Sequence, residues 1–236
     1  MRKIYISLFI TTLFSACQES TTEINKKLRG SLDQGEFEEV TEYLKTVDTT
    51  AYDWETYNLK GVAFYNLKKY REAVSAFQKA IGKDSTHYQP FYNLGNAYYD
   101  QEDFVSAVRN YSFALNLKPT EPDIYINRGN AYFQSVNYQK ALDDFDFAAR
   151  LAPNNHLAYF NKGRCLGLLD RNQEAVEAYE KAIQFNPTHG ASYFFLGMLY
   201  IDMQNPEEGC ILLKTSSDEG YETAEAYIDQ FCNGSS

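Results

Sequence analysis

The chain has 236 residues, 44% of them hydrophobic and 16% aromatic, a composition that can pack a core and excludes a disordered polymer. Its 22 basic residues are outnumbered by 32 acidic ones, giving a net charge of −10. No basic stripe is available to neutralise phosphates, so nucleic acid is not an expected partner, and the acidic balance reads as a solvated surface, with attraction of a basic protein as the sharper alternative.

The first predicted element is an export signal over residues 1–16: Arg2 and Lys3, an apolar run over 4–14, then small residues before Cys17. The run is shorter than the roughly 20 residues that span a bilayer, which disfavours a retained anchor helix. Phe14 spoils the small-residue pattern of an ordinary signal peptidase site cutting after Ala16. The stretch Phe14-Ser15-Ala16-Cys17 resembles the lipobox of bacterial lipoproteins, with Phe14 standing where leucine is usual. That resemblance implies acylation of Cys17, a short tether over 17–21, and localisation on a membrane of the bacterial envelope. At about 0.8 kcal/mol per buried methylene, one acyl chain outweighs repulsion of about 1 kcal/mol per charge at an anionic surface. The alternative is a soluble secreted protein.

Residues 22–53 are expected to form a degenerate helix pair, because Phe37, Val40, Leu44 and Val47 align with Tyr70, Ala73, Phe77 and Ala80 at a shift of 33. From 54 onward the pattern is regular. Gly61, Gly95, Gly129, Gly163 and Gly197 follow one another at 34 residues, with an aromatic four residues before each (Tyr57, Phe91, Tyr125, Tyr159, Tyr193). Phe64, Tyr98, Tyr132, Leu166 and Tyr200 follow three residues later. Spacing of i, i+4, i+7 lays these columns on one face of a helix. A second stripe with the same spacing marks a second helix: Ala73, Phe77, Ala80; Ala107, Tyr111, Ala114; Ala141, Phe145, Ala148; Ala175, Tyr179, Ala182. Pro119, Pro153 and Pro187 stop that helix, since proline lacks the amide hydrogen and clashes with the preceding turn.

A 34-residue period with these Gly, Ala, aromatic and Pro columns resembles the tetratricopeptide repeat. The resemblance implies an all-α fold, a right-handed solenoid of antiparallel helix pairs. Five copies are expected (54–87, 88–121, 122–155, 156–189, 190–221), followed by a capping helix and tail over 222–236, in which Tyr221, Ala224, Tyr227, Ile228 and Phe231 make one apolar face. Ser85 replaces the proline of the first copy, and Gly209, Leu213 and Ser216 replace Ala, aromatic and Ala in the fifth.

Catalytic constellations are not expected. His87, His156 and His189 lie at or beside repeat junctions without metal-binding spacing, and no phosphate loop or nucleophile motif occurs. Asp143-Asp144 and Glu207-Glu208 are neighbours in sequence, point in different directions on a helix and read as solvated faces. No enzyme activity, metal or cofactor is predicted. Cys165 stands in a column otherwise filled by Ala63, Ala97 and Ala131, so it reads as a small core residue. Cys210 and Cys232 are a candidate disulfide stapling the cap, with two free thiols as the alternative.

A stripe rotated by about 100° on the first helix of each copy should line the inside of the superhelix: Tyr92, Asn93, Asn96 and Tyr99; Ile126, Asn127, Asn130 and Phe133; Phe160, Asn161 and Arg164; and Phe194. Asn58, Leu59, Val62, Tyr65, Phe195, Met198 and Ile201 continue it at the ends. Rings give contact area and amides pair with a peptide backbone, so the expected partner is a protein or peptide. The Asn93, Asn127, Asn161 column resembles the asparagine ladder by which some family members grip a peptide. The clamp for acidic chaperone tails is disfavoured, because Leu157 and Asn161 stand where it needs cations. The expected role is a non-enzymatic scaffold aiding assembly of a larger envelope complex; a self-associating spacer is the alternative.

Overall fold

The computed structural model describes residues 19–232; the export signal and Cys17 lie outside that range. Its helices are α1 (Thr21–Asp33), α2 (Phe37–Thr46), α3 (Trp54–Asn66), α4 (Tyr70–Lys83), α5 (Tyr88–Tyr99), α6 (Phe104–Leu117), α7 (Pro122–Gln134), α8 (Tyr138–Leu151), α9 (His156–Leu168), α10 (Asn172–Phe185), α11 (Gly190–Asp202), α12 (Pro206–Asp218) and α13 (Thr223–Phe231). A single 3₁₀ turn, Thr49–Ala51, bridges α2 and α3, and no strand occurs among the described residues. Consecutive helices pair, and each pair packs on the next, the all-α solenoid that the 34-residue period implies.

Small residues set how closely the two helices of a pair approach. A β-carbon built on Gly129 would sit 2.8 Å from the Phe145 ring, and one on Gly95 2.6 Å from Tyr111. The aromatic of the even helix therefore occupies the space that glycine vacates on the odd helix, and fully buried alanines on both sides seal the seam. In the fifth pair Leu213 is smaller than the aromatic it replaces, and Gly209 compensates. It brings α12 so near α11 that a β-carbon on Gly197 would lie 2.9 Å from the Gly209 carbonyl oxygen.

Each odd helix from α3 to α11 ends in the same way. Lys68, Glu102, Val136, Asp170 and Gln204, again 34 residues apart, take positive φ of 57° to 63°. The next amide reaches back to the carbonyl five residues earlier, as in Asp103 N–H to Tyr98 O (2.9 Å) and Asn137 N–H to Tyr132 O (2.9 Å). Gly35, with φ 77°, fills that place between α1 and α2. The degenerate N-terminal pair α1/α2 therefore uses the same turn despite its poor sequence match, and it buries Ile24, Leu28, Val40 and Leu44 against α3.

One reading of the acidic pairs needs correction. Asp143 is exposed, but Asp144 is 3% exposed and accepts two bonds from Arg128, Nε to Oδ2 at 2.8 Å and Nη2 to Oδ1 at 2.7 Å. Neighbours in sequence point apart on a helix, and here the second points into the α7–α8 seam. Burial raises the Asp144 carboxyl above its ordinary range despite the opposing pull of Arg128.

Cys210 on α12 and Cys232 after α13 are joined by a disulfide, with 5.6 Å between the α-carbons. Cys165 is fully buried, and desolvation pushes its thiol up to about 12, so it acts as a small apolar residue.

Candidate partner-binding groove

The odd helices line the inner face, and the first stretch of that face is polar. Tyr65, Asn96, Tyr99, Asp100, Tyr111, Asn127 and Asn130 surround a pocket of about 250 Å³. Its walls are fixed by bonds between copies. The Tyr65 hydroxyl donates to Asp100 Oδ2 at 2.6 Å, the Tyr111 hydroxyl donates to Asn96 Oδ1 at 2.7 Å, and Asn127 Nδ2 donates to the Tyr92 hydroxyl at 2.9 Å and to Asn96 Oδ1 at 3.2 Å. Burial raises the Tyr92 and Tyr65 hydroxyl pKa values, with Asp100 adding to the latter, so both stay protonated as donors or acceptors.

These bonds alter the meaning of the asparagine column. Asn93 donates to Asn58 Oδ1 at 3.0 Å, Asn127 is spent as described, and Asn161 is 8% exposed and accepts from Arg164 Nη1 at 3.3 Å. Asn93 and Asn127 tie neighbouring copies together, while Asn161 bonds within its own helix. Asn130 differs: it is half-buried, lines the pocket and makes no side-chain hydrogen bond among the described residues, so its amide is free for a partner.

The second stretch is more apolar. Phe133, Arg164, Leu168, Asp170, Asn172, Tyr179, Phe195, Met198, Leu199 and Asp202 line a pocket of about 440 Å³. The Arg164 guanidinium carbon stands 4.2 Å from the Phe133 ring centroid and 5.8 Å from those of Phe160 and Phe195. Rings on three sides attract and orient the cation, and no carboxylate pairs with it among the described residues. Asn130 and Phe133 are one turn apart on α7 (Pro122–Gln134), so the two pockets meet on that helix.

Of the expected lining, Tyr92, Asn93, Ile126, Phe160, Asn161 and Phe194 line neither pocket. Ile126 is 7% exposed and joins the core between α7 and α9. Asn161 is buried beneath Arg164. Phe194, 6% exposed, packs edge-on to Tyr227 of the cap at 4.9 Å and against Tyr221 at 5.1 Å. Conversely, Asp100, Leu168 and Asp202 line pockets without having been singled out. They share one column of the 34-residue repeat, with Gln134 between Asp100 and Leu168, one position beyond the Tyr65, Tyr99 and Phe133 column, and that was the available signal. No group of His, Cys, Asp or Glu able to hold a metal occurs among the described residues.

Comparison with known proteins agrees with this geometry. The family profile described as "Tetratricopeptide repeat" matches residues 55–87, 122–155 and 156–189, and one described as "TPR repeat" matches 95–136, together more than half of the chain. No curated protein sequence matches. Among solved structures, a crystal structure of MamA is 23% identical with a TM-score of 0.65, covering 70% of this chain and 96% of its own. A MamA fragment from Desulfovibrio magneticus is 17% identical with a TM-score of 0.67, covering 72% and 96%. YrrB, described as a TPR protein with an unusual peptide-binding site, is 21% identical with a TM-score of 0.65, covering 75% and 92%. With identities this low the structural likeness speaks for the fold, and the profiles speak for the sequence. Both lead to one conclusion: the chain belongs to the tetratricopeptide-repeat family, whose helix stacks serve as protein-interaction scaffolds.

Proposed function

We propose that this chain holds an extended protein segment in its inner groove and does so at a bacterial envelope membrane, tethered through an acylated Cys17, as a non-enzymatic component aiding assembly of a larger complex. The observation that carries the groove reading is the meeting of two pockets on α7, one presenting the free amide of Asn130 and the other the ring-clamped Arg164. An amide reads the backbone of a partner. A guanidinium without a counter-ion beside rings and Met198 fits an apolar side chain next to a carboxylate. The peptide-binding site named for YrrB supports a similar use of this architecture. Anchoring is supported by the sequence around Cys17 alone.

Crosslinking in native envelopes supplies the partner, and a peptide from the crosslinked segment supplies the probe. Asn130→Ala and Arg164→Met should each weaken its binding by about 1–3 kcal/mol, the loss for an unpaired buried polar or charged group, without lowering the melting temperature. Unchanged affinity in both variants places the binding site outside the groove. Cys17→Ser should release the protein from membranes; retention after a high-salt wash refutes the acyl anchor.

A further inference from the structure

In an antiparallel stack, every odd helix starts and every even helix ends on the same rim. The N-terminus leaves from that rim: the Thr21 hydroxyl at the start of α1 donates to the Ala51 carbonyl, in the junction between α2 and α3, at 2.9 Å. Neighbouring junctions touch along the rim as well, with Trp54 stacked on His87 at 3.7 Å and Asn186 3.2 Å from His156. Cys17 is three residues before the Ser20 cap of α1. An acyl chain on Cys17 therefore holds this rim, and not the opposite one, close to the lipid.

The same rim carries a run of exposed apolar side chains. Phe113, Leu117, Phe147, Leu151, Leu157 and Phe185 are 37% to 47% exposed. They sit in the last turns of α6, α8 and α10 and the first turn of α9. They repeat by copy, because the ring of each odd helix's first turn supports the even helix's exposed ring: Phe91 under Phe113 at 5.5 Å and Tyr125 under Phe147 at 5.4 Å.

Charge is distributed to match around the fourth copy, whereas the same rim carries Glu19, Glu23, Asp48, Asp53 and Glu55 near the N-terminus and Asp218, Glu219 and Glu222 at its far end. In a chain with 32 acidic residues, none occurs over 147–169 or over 181–201, the segments that build the junctions on either side of the fourth copy. Arg150 lies over Phe147 of the run at 4.1 Å, and Lys181 and Lys79 lie over the neighbouring rings of Tyr159 at 5.5 Å and Tyr57 at 5.8 Å. At the α4–α5 and α6–α7 junctions Asp84 is 3.3 Å from His87 and Glu121 is 3.6 Å from Lys118, while Asp123 is exposed and forms no ion pair among the described residues. The opposite rim carries Asp100, Glu102, Asp103, Asp170 and Asp202. Long cationic stems over rings with apolar tips between them are the pattern of a surface that sits at a headgroup boundary.

We propose that this rim is a second membrane contact: with Cys17 as tether, Phe147, Leu151, Leu157 and Phe185 rest in the headgroup region of the same bilayer, so that the stack stands on its rim and opens its groove to the side. The proposal rests on the anchoring reading above and adds an orientation to it. A second copy is the competing occupant of the same stripe.

The test uses the full chain, expressed with its export signal and reconstituted into vesicles of phosphatidylethanolamine and phosphatidylglycerol. One bimane label is placed at Leu157→Cys on this rim or at Val136→Cys on the opposite rim, which is 69% exposed. Cys165 is buried and Cys210 and Cys232 are bonded, so the label is selective. Lipid carrying a spin-label quencher should roughly halve the Leu157→Cys fluorescence, since an interfacial face lies about 5–10 Å into the headgroup and acyl boundary, and should leave Val136→Cys unchanged. Co-flotation with equal quenching at both positions, or with none, overturns the rim contact while the anchor stands. Protection of the Leu157 label accompanied by crosslinked dimers overturns it in favour of a second copy. Failure to co-float removes the anchor and the orientation together.

Discussion

Asp144 and Arg128 are an ion pair inside the seam of the middle copy, with side chains 5% and 20% exposed. The guanidinium also donates to Ser112 Oγ at 3.0 Å, so it ties α6, α7 and α8 together at one point. Taking two charges out of water costs several kcal/mol each, and attraction returns much of that only while both partners are present. Arg128→Met should therefore destabilise the protein by about 3 kcal/mol, because Asp144 is left buried and alone. The pH dependence fixes the cause. The folded pKa of Asp144 is raised above the value near 3.9 of an unfolded carboxyl, so a bound proton favours the fold. That contribution is complete below the unfolded value and is lost as pH rises through the folded one. Without Arg128 the folded value rises further, and the deficit of Arg128→Met relative to wild type should shrink as pH falls toward 4. A deficit independent of pH, measured by urea denaturation across that range, would mean that lost packing and not an unpaired charge explains it. This pair was illegible in the sequence, because Asp143 and Asp144 have the same composition and differ only in which faces the neighbouring helix.

The helical pair is the unit that the sequence states most clearly. Glycine, alanine and aromatic columns recur because each pair meets the same steric problem, and the fifth pair shows the problem solved by other residues, with Gly209 across from Gly197 and Leu213 in place of a ring. The turn that closes each odd helix was not visible, because residues as different as Lys68, Glu102, Val136, Asp170 and Gln204 occupy it. Backbone bonds to carbonyls five residues back hold it, and they ask nothing of the side chain. Four of those residues are unbranched at Cβ or, like Asp170, tolerate this conformation, whereas Val136 is β-branched at φ 61°. Its side chain is 69% exposed, so little packing offsets the strain. Val136→Gly should therefore raise stability by about 1 kcal/mol, which is about 2–4 °C in melting temperature for a chain of this size. A lower melting temperature would show that the valine side chain does stabilise the turn.

Across the whole molecule, each pair touches only its neighbours, so stability is a sum of local seams and the ends are weakest. This explains part of what was legible in the groove. Asn130, Phe133 and Arg164 line the pockets, whereas Ile126 and Asn161, equally central in the stack, are buried, which their columns did not reveal. Phe194 meets the cap instead of a sixth copy, and α13 covers it. The cap itself is short, nine residues from Thr223 to Phe231, below the length at which a helix is stable alone, and Ala224 is its buried residue. The Cys210–Cys232 disulfide ties its end to α12 across a separation of 22 residues, a closure that stabilises by about 3 kcal/mol against an open chain. Because coupling runs through nearest neighbours, the benefit should stay local. Reducing the bond, or replacing Cys232 by Ser, should speed native-state hydrogen exchange in α13, α12 and, through the uncovered Phe194, α11, and leave α3 to α8 unchanged. Faster exchange throughout would mean that the stack unfolds as one unit, and the cap would then govern the whole groove and not only its α11 wall.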